Sequence, residues 1–590
     1  MSISIASKRR VEERSFATHD GVQLFFRYWA AAEGAAARRA VVIFHRGHEH
    51  SGRVAHIVDE IGLPDFAFFA WDARGHGRSP GERGFSPSLG TSVRDIQTFM
   101  QHIGAEFGIA EENIAVIAQS VGAVLAATWV HDYAPQIRCM VLASPAFKVK
   151  LYVPFARTGL ALMRRLRGHF YVNSYVKARY LSHDPARIQS YQDDPLIARP
   201  ISVNILLALY QTAERVVADA AAITVPTQLL ISGADWVVHK KPQLEFFERL
   251  GSSIKEKHEL DGFFHDTLGE KDRAIALAKA RDFIEKNFAQ PLQRPDLTRA
   301  DQTGFTFDEA DQLSRPLPAF SLRGLYWSLT RAMLRAVGGI SEGVKLGHQT
   351  GFDSGSTLDY VYRNRAAGIG PLGRMVDRNY LDAIGWRGIR QRKLHAEELI
   401  RLAAERLRAE GMSVHIMDIA AGHGRYVIEA FAAGAVKRPD SLLLRDYSAI
   451  NVAAGSALIV ERNMQSFARF VEANAFDEAS LAAAEPRPTL GIVSGLYELF
   501  SENALLERSL RGLSQAIPSG GYLVYTGQPW HPQLEFIARA LTSHRQGSAW
   551  VMRRRTQEEL DQLVRRAGFK KITQRIDEWG IFTVSLAQRL

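Results

Sequence analysis

A serine between a predicted strand and a predicted helix is the first residue in this chain that suggests catalysis. Ser120 lies at the centre of the pentapeptide 118–122, which follows the apolar run 114–117 and precedes the helix-compatible run 123–127. Small residues two positions before and two after the serine let a strand and a helix pack closely about a sharp turn that exposes the hydroxyl. The spacing therefore predicts a nucleophile elbow, and an ordinary strand–helix turn is the alternative.

A serine hydroxyl becomes a nucleophile only when a base takes its proton and an acid orients that base. Two later strand ends supply these residue types, since the strand-like run 227–232 leads into Asp235 and the run 254–260 leads into His265. The chain order Ser, Asp, His at strand ends is that of the α/β-hydrolase fold. We predict that Ser120 is the nucleophile, His265 the base and Asp235 the orienting acid. Each of the last two, taken alone, fits an ordinary turn or loop equally well.

A loop after an earlier strand is expected to help stabilise the oxyanion of such a reaction. The strand-like run 40–44 leads into 45–53, whose residues are His-Arg-Gly-His-Glu-His-Ser-Gly-Arg. This loop resembles the His-Gly-x-Gly-Glu-His-Ser-Gly-Arg motif of the monoacylglycerol lipase and lysophospholipase branch of the α/β-hydrolases. The resemblance implies that the N–H of Gly47 joins that of Val121, directly after the nucleophile, in an oxyanion hole.

The same resemblance continues through the motifs at 72–79 and 191–196 and covers roughly residues 14–290. It implies a helical lid at about 146–222, no cofactor for this half, and a monoacyl lipid, lysophospholipid or similar fatty-acyl ester as substrate. Arg46 and His48 stand where the family has glycine, so we expect their bulk to narrow the acyl entrance or to reorient the loop. The histidines of this loop match no zinc-ligand spacing, so no metal is predicted.

Length and composition limit the organisation of the chain and its compartment. At 590 residues it exceeds an ordinary domain, so two or more domains are expected. Cys139 is the single cysteine, which excludes an internal disulfide and fits a reducing compartment. The first ten residues lack the apolar core of a secretory signal. No apolar run reaches the roughly 18 residues of a membrane span, so we expect a cytoplasmic protein, peripheral to the inner face of the membrane if it contacts lipid.

The net charge of +10 favours anionic partners, and part of the charge lies in the predicted lid. There basic residues are mixed with apolar ones at near-helical spacing, which suits a surface helix on anionic lipid. A helix that packs its apolar side on the core is the alternative. No nucleic-acid-binding motif accompanies the charge, so the expected partner is a small-molecule or lipid substrate, and the oligomeric state stays open.

A glycine-bearing turn in the second half of the chain is typical of a nucleotide-type site. The strand-like run 413–417 leads into the turn 418–424 and a helix over 425–433, and the next strand ends at Asp446. The absent side chains let a ligand approach the backbone, and the start of the helix offers free N–H groups. Asp446 lies where an acid accepts hydrogen bonds from ribose hydroxyls, and a nicotinamide cofactor uses the same pattern.

The details of this motif resemble class I methyltransferases, whose first motif is acid-x-Gly-x-Gly-x-Gly. Here the motif is Asp418-x-Ala420-x-Gly422-x-Gly424, and Asn474 stands where an adenine-contacting acid is common. The resemblance covers roughly residues 345–590. It implies a Rossmann-like fold, a small or lipid-like methyl acceptor, and S-adenosylmethionine held by Asp418, Ala420, Gly422, Gly424, Asp446 and Asn474.

The sequence therefore predicts an α/β protein with two domains and two activities. An α/β-hydrolase domain with a helical lid spans 1–289, a linker spans 290–319, and a methyltransferase-like domain with an N-terminal helical extension spans 320–590. Two other hypotheses stay open. One is a lipid-binding or membrane-sensing protein built on degenerate enzyme folds, and the other is a hydrolase gated by S-adenosylmethionine binding.

Overall fold

A computed structural model of the chain describes residues 8–32, 38–153, 155–174, 176–318, 320–432, 437–545 and 547–590. The chain divides into two units, Met1–Pro295 and Asp296–Leu590. Parts of the predicted segments lie outside the described residues: 1–7 and 33–37 of the hydrolase domain, the lid positions 154 and 175, residue 319 at the end of the linker, and 433–436 and 546 of the methyltransferase-like domain.

A mostly parallel eight-stranded sheet forms the centre of the first unit. The strands of this unit are β1 (Val11–Ala17), β2 (Gln23–Trp29), β3 (Arg39–Phe44), β4 (Phe66–Trp71), β5 (Ile114–Gln119), β6 (Cys139–Ala143), β7 (Tyr171–Asn173), β8 (Pro200–Ser202), β9 (Thr227–Ser232) and β10 (Lys255–Leu260). The sheet order is β1-β2-β4-β3-β5-β6-β9-β10, and β2 is antiparallel to both its neighbours while the other pairs are parallel. Every residue of β4, β5 and β6 is buried, which is why these strands are nearly continuous apolar runs.

Helices cover the sheet and form a lid between β6 and β9. The helices of the first unit are α1 (Ala55–Glu60), α2 (Leu89–Phe107), α3 (Val121–Tyr133), α4 (Ala156–Arg167), α5 (Pro185–Asp193), α6 (Val203–Ala218), α7 (Lys240–Arg249) and α8 (Ala274–Phe288). The lid comprises α4, α5, α6 and the antiparallel pair of β7 and β8. No residue of α4, all of which the structure describes, is buried. None of the helices in the described ranges has both the length and the apolar composition that crossing a bilayer requires.

The second unit has a seven-stranded sheet preceded by a helical extension. Its strands are β11 (His415–Asp418), β12 (Ser441–Asp446), β13 (Ala468–Glu472), β14 (Leu490–Val493), β15 (Tyr522–Gly527), β16 (Phe569–Ile576) and β17 (Thr583–Arg589). Their order is β13-β12-β11-β14-β15-β17-β16, and β17 pairs antiparallel with β15 and β16 while the other pairs are parallel. The five parallel strands follow the doubly wound order in which a ligand binds where the strand order reverses, beside β11.

Twelve helices of the described residues belong to this second unit. They are α9 (Phe305–Ser314), α10 (Leu322–Val337), α11 (Glu342–Thr350), α12 (Gly355–Arg363), α13 (Gly370–Leu381), α14 (Ile384–Ala409), α15 (Arg425–Ala432), α16 (Ala449–Glu461), α17 (Glu478–Ala482), α18 (Asn503–Ala516), α19 (Leu534–Ala540) and α20 (Gln557–Arg566). The first six form the extension, and α14 packs against α15 and β17 at the core.

The stretch predicted as a linker, 290–319, is shared between the two units. Arg294 still belongs to the first unit, where its guanidinium donates to the carbonyl of Ile137. Beyond Pro295 the chain is part of the second unit: Thr298 is buried, and its carbonyl accepts a hydrogen bond of 3.0 Å from Asn503. Prolines and polar residues are typical of a linker, which is why the sequence predicted one here. In the structure, buried hydrogen bonds and the helix α9 make the part after Pro295 a packed segment of the second unit.

Candidate active sites

The turn at Ser120 has the backbone of a nucleophile elbow. Ser120 lies between β5 and α3 with φ 56° and ψ −116°, a left-handed φ that residues other than glycine rarely adopt. Gly122 must be small, because a Cβ at this position would lie 2.4 Å from the carbonyl oxygen of His45. The strand and the helix therefore approach closely on either side of the serine and hold its hydroxyl at the carboxyl end of the sheet.

Three residues from the ends of three strands meet at this elbow. Ser120 Oγ lies 2.8 Å from His265 Nε2, and His265 Nδ1 lies 2.8 Å from Asp235 Oδ2. All three side chains are buried. The structure thus brings together the three residues that the sequence assigned as nucleophile, base and orienting acid, in the geometry that proton transfer from the hydroxyl requires.

Asp235 is held in its charged form. Burial by itself would raise the pKa of this carboxyl, but the charge and hydrogen bond of His265 outweigh it and hold the pKa below its ordinary value. The N–H groups of Val237 and Val238 add hydrogen bonds of 2.7 and 2.9 Å to Oδ1. A charged Asp235 fixes the proton of His265 on Nδ1, so Nε2 is free to accept the proton of Ser120.

The two predicted oxyanion donors lie side by side at the wall of one cavity. A Cβ built on Gly47 would lie 3.1 Å from Val121 Cγ2, a tight contact, so the two residues lie close together. Val121 is the first residue of α3, and its N–H therefore points out of the helix rather than to a carbonyl within it. Both residues line the cavity that also contains Ser120 and His265.

That cavity has a volume of about 970 Å³ and is lined mainly by apolar residues of the lid. The lid residues include Val149, Leu151, Val153, Leu160, Leu206 and Leu209. Pockets of this size bury most of the surface of a drug-sized ligand. The cavity can therefore hold a largely apolar molecule with Ser120 at its wall.

Arg46 and His48, which stand where the family has glycine, form polar contacts with residues of the loops and the lid. Arg46 lines the cavity, but its guanidinium lies 2.7 Å from Glu49 and 3.7 Å from Asp266, both buried. His48 has φ 70°, the backbone region that glycine adopts freely, and its Nδ1 lies 2.5 Å from the carbonyl of Ala198 in the lid. His48 therefore keeps the backbone conformation that glycine adopts freely.

A buried ionic cluster joins the loops of the hydrolytic site to the lid helix α5. Asp266, next to the catalytic candidate His265, accepts a hydrogen bond of 2.8 Å from Arg187 of α5. Gln119, next to Ser120, donates to the carbonyl of His265. Burial opposes ionisation of Asp266, but Arg187 and Arg46 hold the pKa of its carboxyl well below the usual range. Because these groups neutralise each other, the two loops and α5 are fixed to one another.

In the second unit, the glycine-bearing turn after β11 forms one wall of a second site. A cavity of about 660 Å³ is lined by Ala420, Gly422, Gly424, Asp446 and Asn474. Gly424 has φ 71°, a backbone conformation that favours glycine, and a Cβ there would lie 2.6 Å from Leu444 Cδ1. The N–H of Gly422 donates 2.9 Å to Asp446, which ties the turn to the end of β12.

The first acid of the motif does not reach the cavity, which corrects the prediction for Asp418. This residue is fully buried behind the turn, where Oδ2 accepts a hydrogen bond of 2.5 Å from the Tyr426 hydroxyl. Burial raises the pKa of Asp418 to about 7. A strand-end acid can face the ligand or the core, and Asp418 faces the core, where it stabilises the turn.

Comparison with known proteins agrees with the architecture of both units. A family model described as "Putative methyltransferase" matches residues 280–589, more than half of the chain. The chain belongs to this methyltransferase family. A second family model, described as "Serine aminopeptidase, S33", matches residues 35–272. The chain therefore joins an α/β-hydrolase unit to a methyltransferase unit.

Three similar proteins cover the whole chain or its first half. YnbC of Escherichia coli K12, described as uncharacterized, is 56% identical over 577 residues, 98% of each chain. A monoacylglycerol lipase of Mycolicibacterium smegmatis is 25% identical over 279 residues, 46% of this chain and 96% of the lipase. The solved structure of a Paleococcus ferrophilus monoacylglycerol lipase covers 45% of this chain and 99% of its own, with 23% identity and a TM-score of 0.41.

The methyltransferase unit also has cavity residues that sequence reasoning missed. Phe476 and Phe500 line the 660 Å³ cavity with their ring centroids 4.6 Å apart, and Ser354 and Gly355 line it from the start of α12. Phe476 follows the predicted Asn474 by two residues, so its position was a usable signal. Nothing in the sequence linked the small residues before α12 to the turn after β11.

The histidines of the 45–53 loop, from which no metal was predicted, make separate contacts. His45 Nδ1 lies 2.8 Å from the carbonyl of Arg46, and His50 Nε2 lies 2.9 Å from Asp194. Elsewhere in the described residues, the ligand atoms of His19, Asp20 and Asp95 cluster within 4.8 Å. The guanidinium of Arg74 forms ion pairs with both carboxylates of that cluster, 2.6 Å from Asp20 and 2.5 Å from Asp95. Its positive charge therefore offsets the negative charge of the two acids.

Proposed function

We propose that the first unit hydrolyses fatty-acyl esters through an acyl-enzyme formed on Ser120. The observation that carries this proposal is the pair of 2.8 Å contacts from Ser120 through His265 to Asp235, at the wall of an apolar cavity. His265 Nε2 takes the hydroxyl proton as Ser120 Oγ attacks the ester carbonyl, and Asp235 stabilises the imidazolium. The proton then passes to the leaving alcohol, and water repeats the sequence to release the acid.

The N–H groups of Gly47 and Val121 would stabilise the oxyanion that forms during both steps. The substrate class we propose is a monoacyl lipid or lysophospholipid-like ester. Two observations support this class: the apolar lid residues that line the 970 Å³ cavity, and the similarity to a protein named monoacylglycerol lipase. A single acyl chain would lie against the lid, with its ester beside Ser120.

We propose further that the second unit binds S-adenosylmethionine in the 660 Å³ cavity. The residues present fit this molecule: Gly422 and Gly424 leave the backbone open, and Asp446 offers a carboxylate at the end of β12. Asn474, Phe476 and Phe500 offer an amide and two aromatic rings for the adenine. When bound, S-adenosylmethionine supplies an electrophilic methyl group, and the protein has only to align an acceptor with it.

Replacing Asp446 with alanine should weaken S-adenosylmethionine binding roughly 10- to 100-fold, because hydrogen bonds to a charged group are lost. Isothermal titration of the full chain would measure the dissociation constant. Asp440→Ala is the matched control, since Asp440 lies just before the opposite end of β12 and should leave binding unchanged. No binding by the unaltered chain, or equal binding by both variants, would contradict the proposal.

We also propose that α4 contacts the surface of anionic membranes. Phe155 and Leu166 are 87% and 75% exposed, and Arg164, Arg165 and Arg167 are exposed beside them. An apolar face flanked by basic side chains is suited to the boundary between headgroups and acyl chains. A monoacyl substrate would then be available close to the lid.

Replacing Arg164, Arg165 and Arg167 with glutamine should weaken binding to phosphatidylglycerol-containing vesicles roughly 100-fold, since each basic residue near an anionic surface contributes about 1 kcal/mol. Vesicle co-sedimentation would measure this change. The matched control replaces Lys279, Arg281 and Lys286 of α8, which alters the net charge equally. Equal losses for the two variants would mean that net charge, not α4, attracts the protein.

A further inference from the structure

A third cavity, of about 340 Å³, lies beside the candidate cofactor cavity in the second unit. Asp353, Leu358, Gly495 and Leu499 line both cavities, so the two share part of one wall. The remaining wall comes mainly from the helical extension and from α19, and much of it is aromatic. Its aromatic residues include Phe352, Trp386, Phe536, Trp550 and Phe582.

Several polar groups in this apolar wall have no hydrogen-bond partner among the described residues. They are Arg392 Nε, Gln528 Nε2, Trp550 Nε1 and Glu498 Oε2, and each of these atoms is buried. Folded proteins leave few buried polar atoms unpaired, because each one costs free energy. Four such atoms belong to residues that line one cavity, where the polar group of a bound ligand could pair with them.

Glu498 is the acceptor among these groups. It lies on the turn Tyr497–Leu499 that follows β14, the strand next to β11, and only 8% of the residue is exposed. Its Oε1 accepts a hydrogen bond of 2.7 Å from Thr526 and lies 3.5 Å from Arg392 Nη1. Oε2 is left without a partner in the described part of the chain, so one carboxylate oxygen is available to a ligand.

His531 adds a donor to the same wall. Its Nδ1 accepts a hydrogen bond of 3.0 Å from the N–H of Gln533, so the proton of the neutral ring lies on Nε2. Burial lowers the pKa of His531 to about 4, which keeps the ring neutral at pH 7. The cavity wall therefore offers N–H donors from Arg392, Gln528, Trp550 and His531. Against these donors stands one carboxylate oxygen that is unpaired within the described ranges, Oε2 of Glu498.

We propose that this cavity binds the methyl acceptor, and that the acceptor is an apolar molecule carrying a hydroxyl group. A hydroxyl donates one hydrogen bond, which suits Glu498 Oε2, and accepts two, which suits the surrounding donors. An ammonium group only donates and would face N–H groups that it cannot satisfy. The inference rests on the proposal that the second unit binds S-adenosylmethionine in the adjoining cavity.

This arrangement supports transfer of the methyl group from S-adenosylmethionine to the hydroxyl oxygen of the acceptor. The hydroxyl oxygen forms a bond to the methyl carbon, the bond from that carbon to sulfur breaks with its electron pair left on sulfur, and the hydroxyl proton passes to Glu498. The protein's share is to hold the oxygen through Glu498 and the N–H donors and to exclude water with the aromatic wall.

Binding of 4-butylphenol and butylbenzene to the full chain tests the site without any methyl donor. Quenching of the fluorescence of Trp386 and Trp550, or calorimetry, would measure both dissociation constants. We expect 4-butylphenol to bind roughly 10- to 100-fold more tightly, because its hydroxyl bonds a carboxylate. Glu498→Gln should remove most of this preference while butylbenzene binding stays unchanged. Equal binding of the two probes, or no binding of either at millimolar concentration, would overturn the inference.

Titration of the unaltered chain and of Glu498→Gln with S-adenosylmethionine separates the acceptor inference from the cofactor proposal on which it rests. Titration with S-adenosylmethionine should give the same dissociation constant for Glu498→Gln as for the unaltered chain, which also reports that the variant is folded. If S-adenosylmethionine does not bind the unaltered chain, the cofactor proposal fails, whereas the phenol preference still decides whether the cavity recognises a hydroxyl. If S-adenosylmethionine binds and 4-butylphenol does not, only the acceptor inference fails.

A steric variant provides an independent test of the same cavity. Val376→Trp adds volume to the cavity wall and should weaken 4-butylphenol binding at least tenfold without changing S-adenosylmethionine binding. Val460→Trp on α16 is the matched control, since Val460 is 56% exposed and lies outside the cavity. Equal binding of 4-butylphenol by both variants would overturn the assignment of the site.

Discussion

Ser120→Ala should lower the rate of hydrolysis of 4-nitrophenyl butyrate by about 10⁴- to 10⁶-fold, because removal of the nucleophile leaves only binding and oxyanion stabilisation. The variant should remain folded, since alanine replaces a side chain of similar size in the same left-handed conformation, φ 56°. The single hydroxyl oxygen that is lost is the one 2.8 Å from His265 Nε2. Initial rates with the purified full chain would measure the effect.

Ser253→Ala is the matched control, because Ser253 is exposed in the turn before β10 and should leave the rate unchanged. Circular dichroism and melting temperature would show that the Ser120 variant is folded. Equal rates for Ser120→Ala and the unaltered chain would remove the acyl-enzyme proposal. An unaltered chain that hydrolyses no ester but binds vesicles would instead favour the lipid-binding hypothesis.

Asp235→Asn should lower kcat by about 10⁴-fold, an effect that arises from the wrong histidine tautomer. The asparagine can still accept from the N–H groups of Val237 and Val238, which now hold Oδ1 at 2.7 and 2.9 Å. Its amide group would then face His265 Nδ1 and donate to it, so the ring proton moves to Nε2. A protonated Nε2 cannot take the hydroxyl proton of Ser120.

Asp261→Asn is the control for Asp235→Asn, because Asp261 is an exposed acid of the loop that carries His265. Its kcat should equal that of the unaltered chain, and KM should change little in either variant. The reaction of Ser120 with a fluorophosphonate probe should slow in parallel with kcat in Asp235→Asn. A variant with near-normal kcat would mean that Asp235 does not set the tautomer.

The hydrolytic site could be predicted from the sequence because its residues stand at strand ends. Parallel strands bring their carboxyl ends to one edge of a sheet, so Ser120, Asp235 and His265 had to come near one another once each was assigned to a loop after a strand. Asp418 also stands at a strand end, but a side chain there can face either the ligand cavity or the core, and the sequence does not show which. Its partner Tyr426 lies eight residues later, at the start of α15, and the sequence did not show that the two would meet.

The parts of the structure that depend on helix packing could not be predicted. The helix α14 begins at Ile384, and its first turns pack on other helices of the extension, which the sequence does not specify. The 340 Å³ cavity is enclosed by helices whose partners the sequence does not specify. Amphipathic periodicity gives the buried face of a helix, but not the element that covers it.

The wall that the two cavities of the second unit share restricts how relatives of this chain can diverge. A change at Leu358 or Gly495 that suits a new acceptor also reshapes the compartment beside it. Gly495 is the most restricted of these positions, with φ 77° and with Arg392 Nη2 at 3.1 Å from the place of a Cβ. Met333 and Val376 line the smaller cavity but not the larger one. On the proposed assignment of the two cavities, substitutions in α10 and α13 would alter acceptor choice and leave the affinity for the methyl donor unchanged.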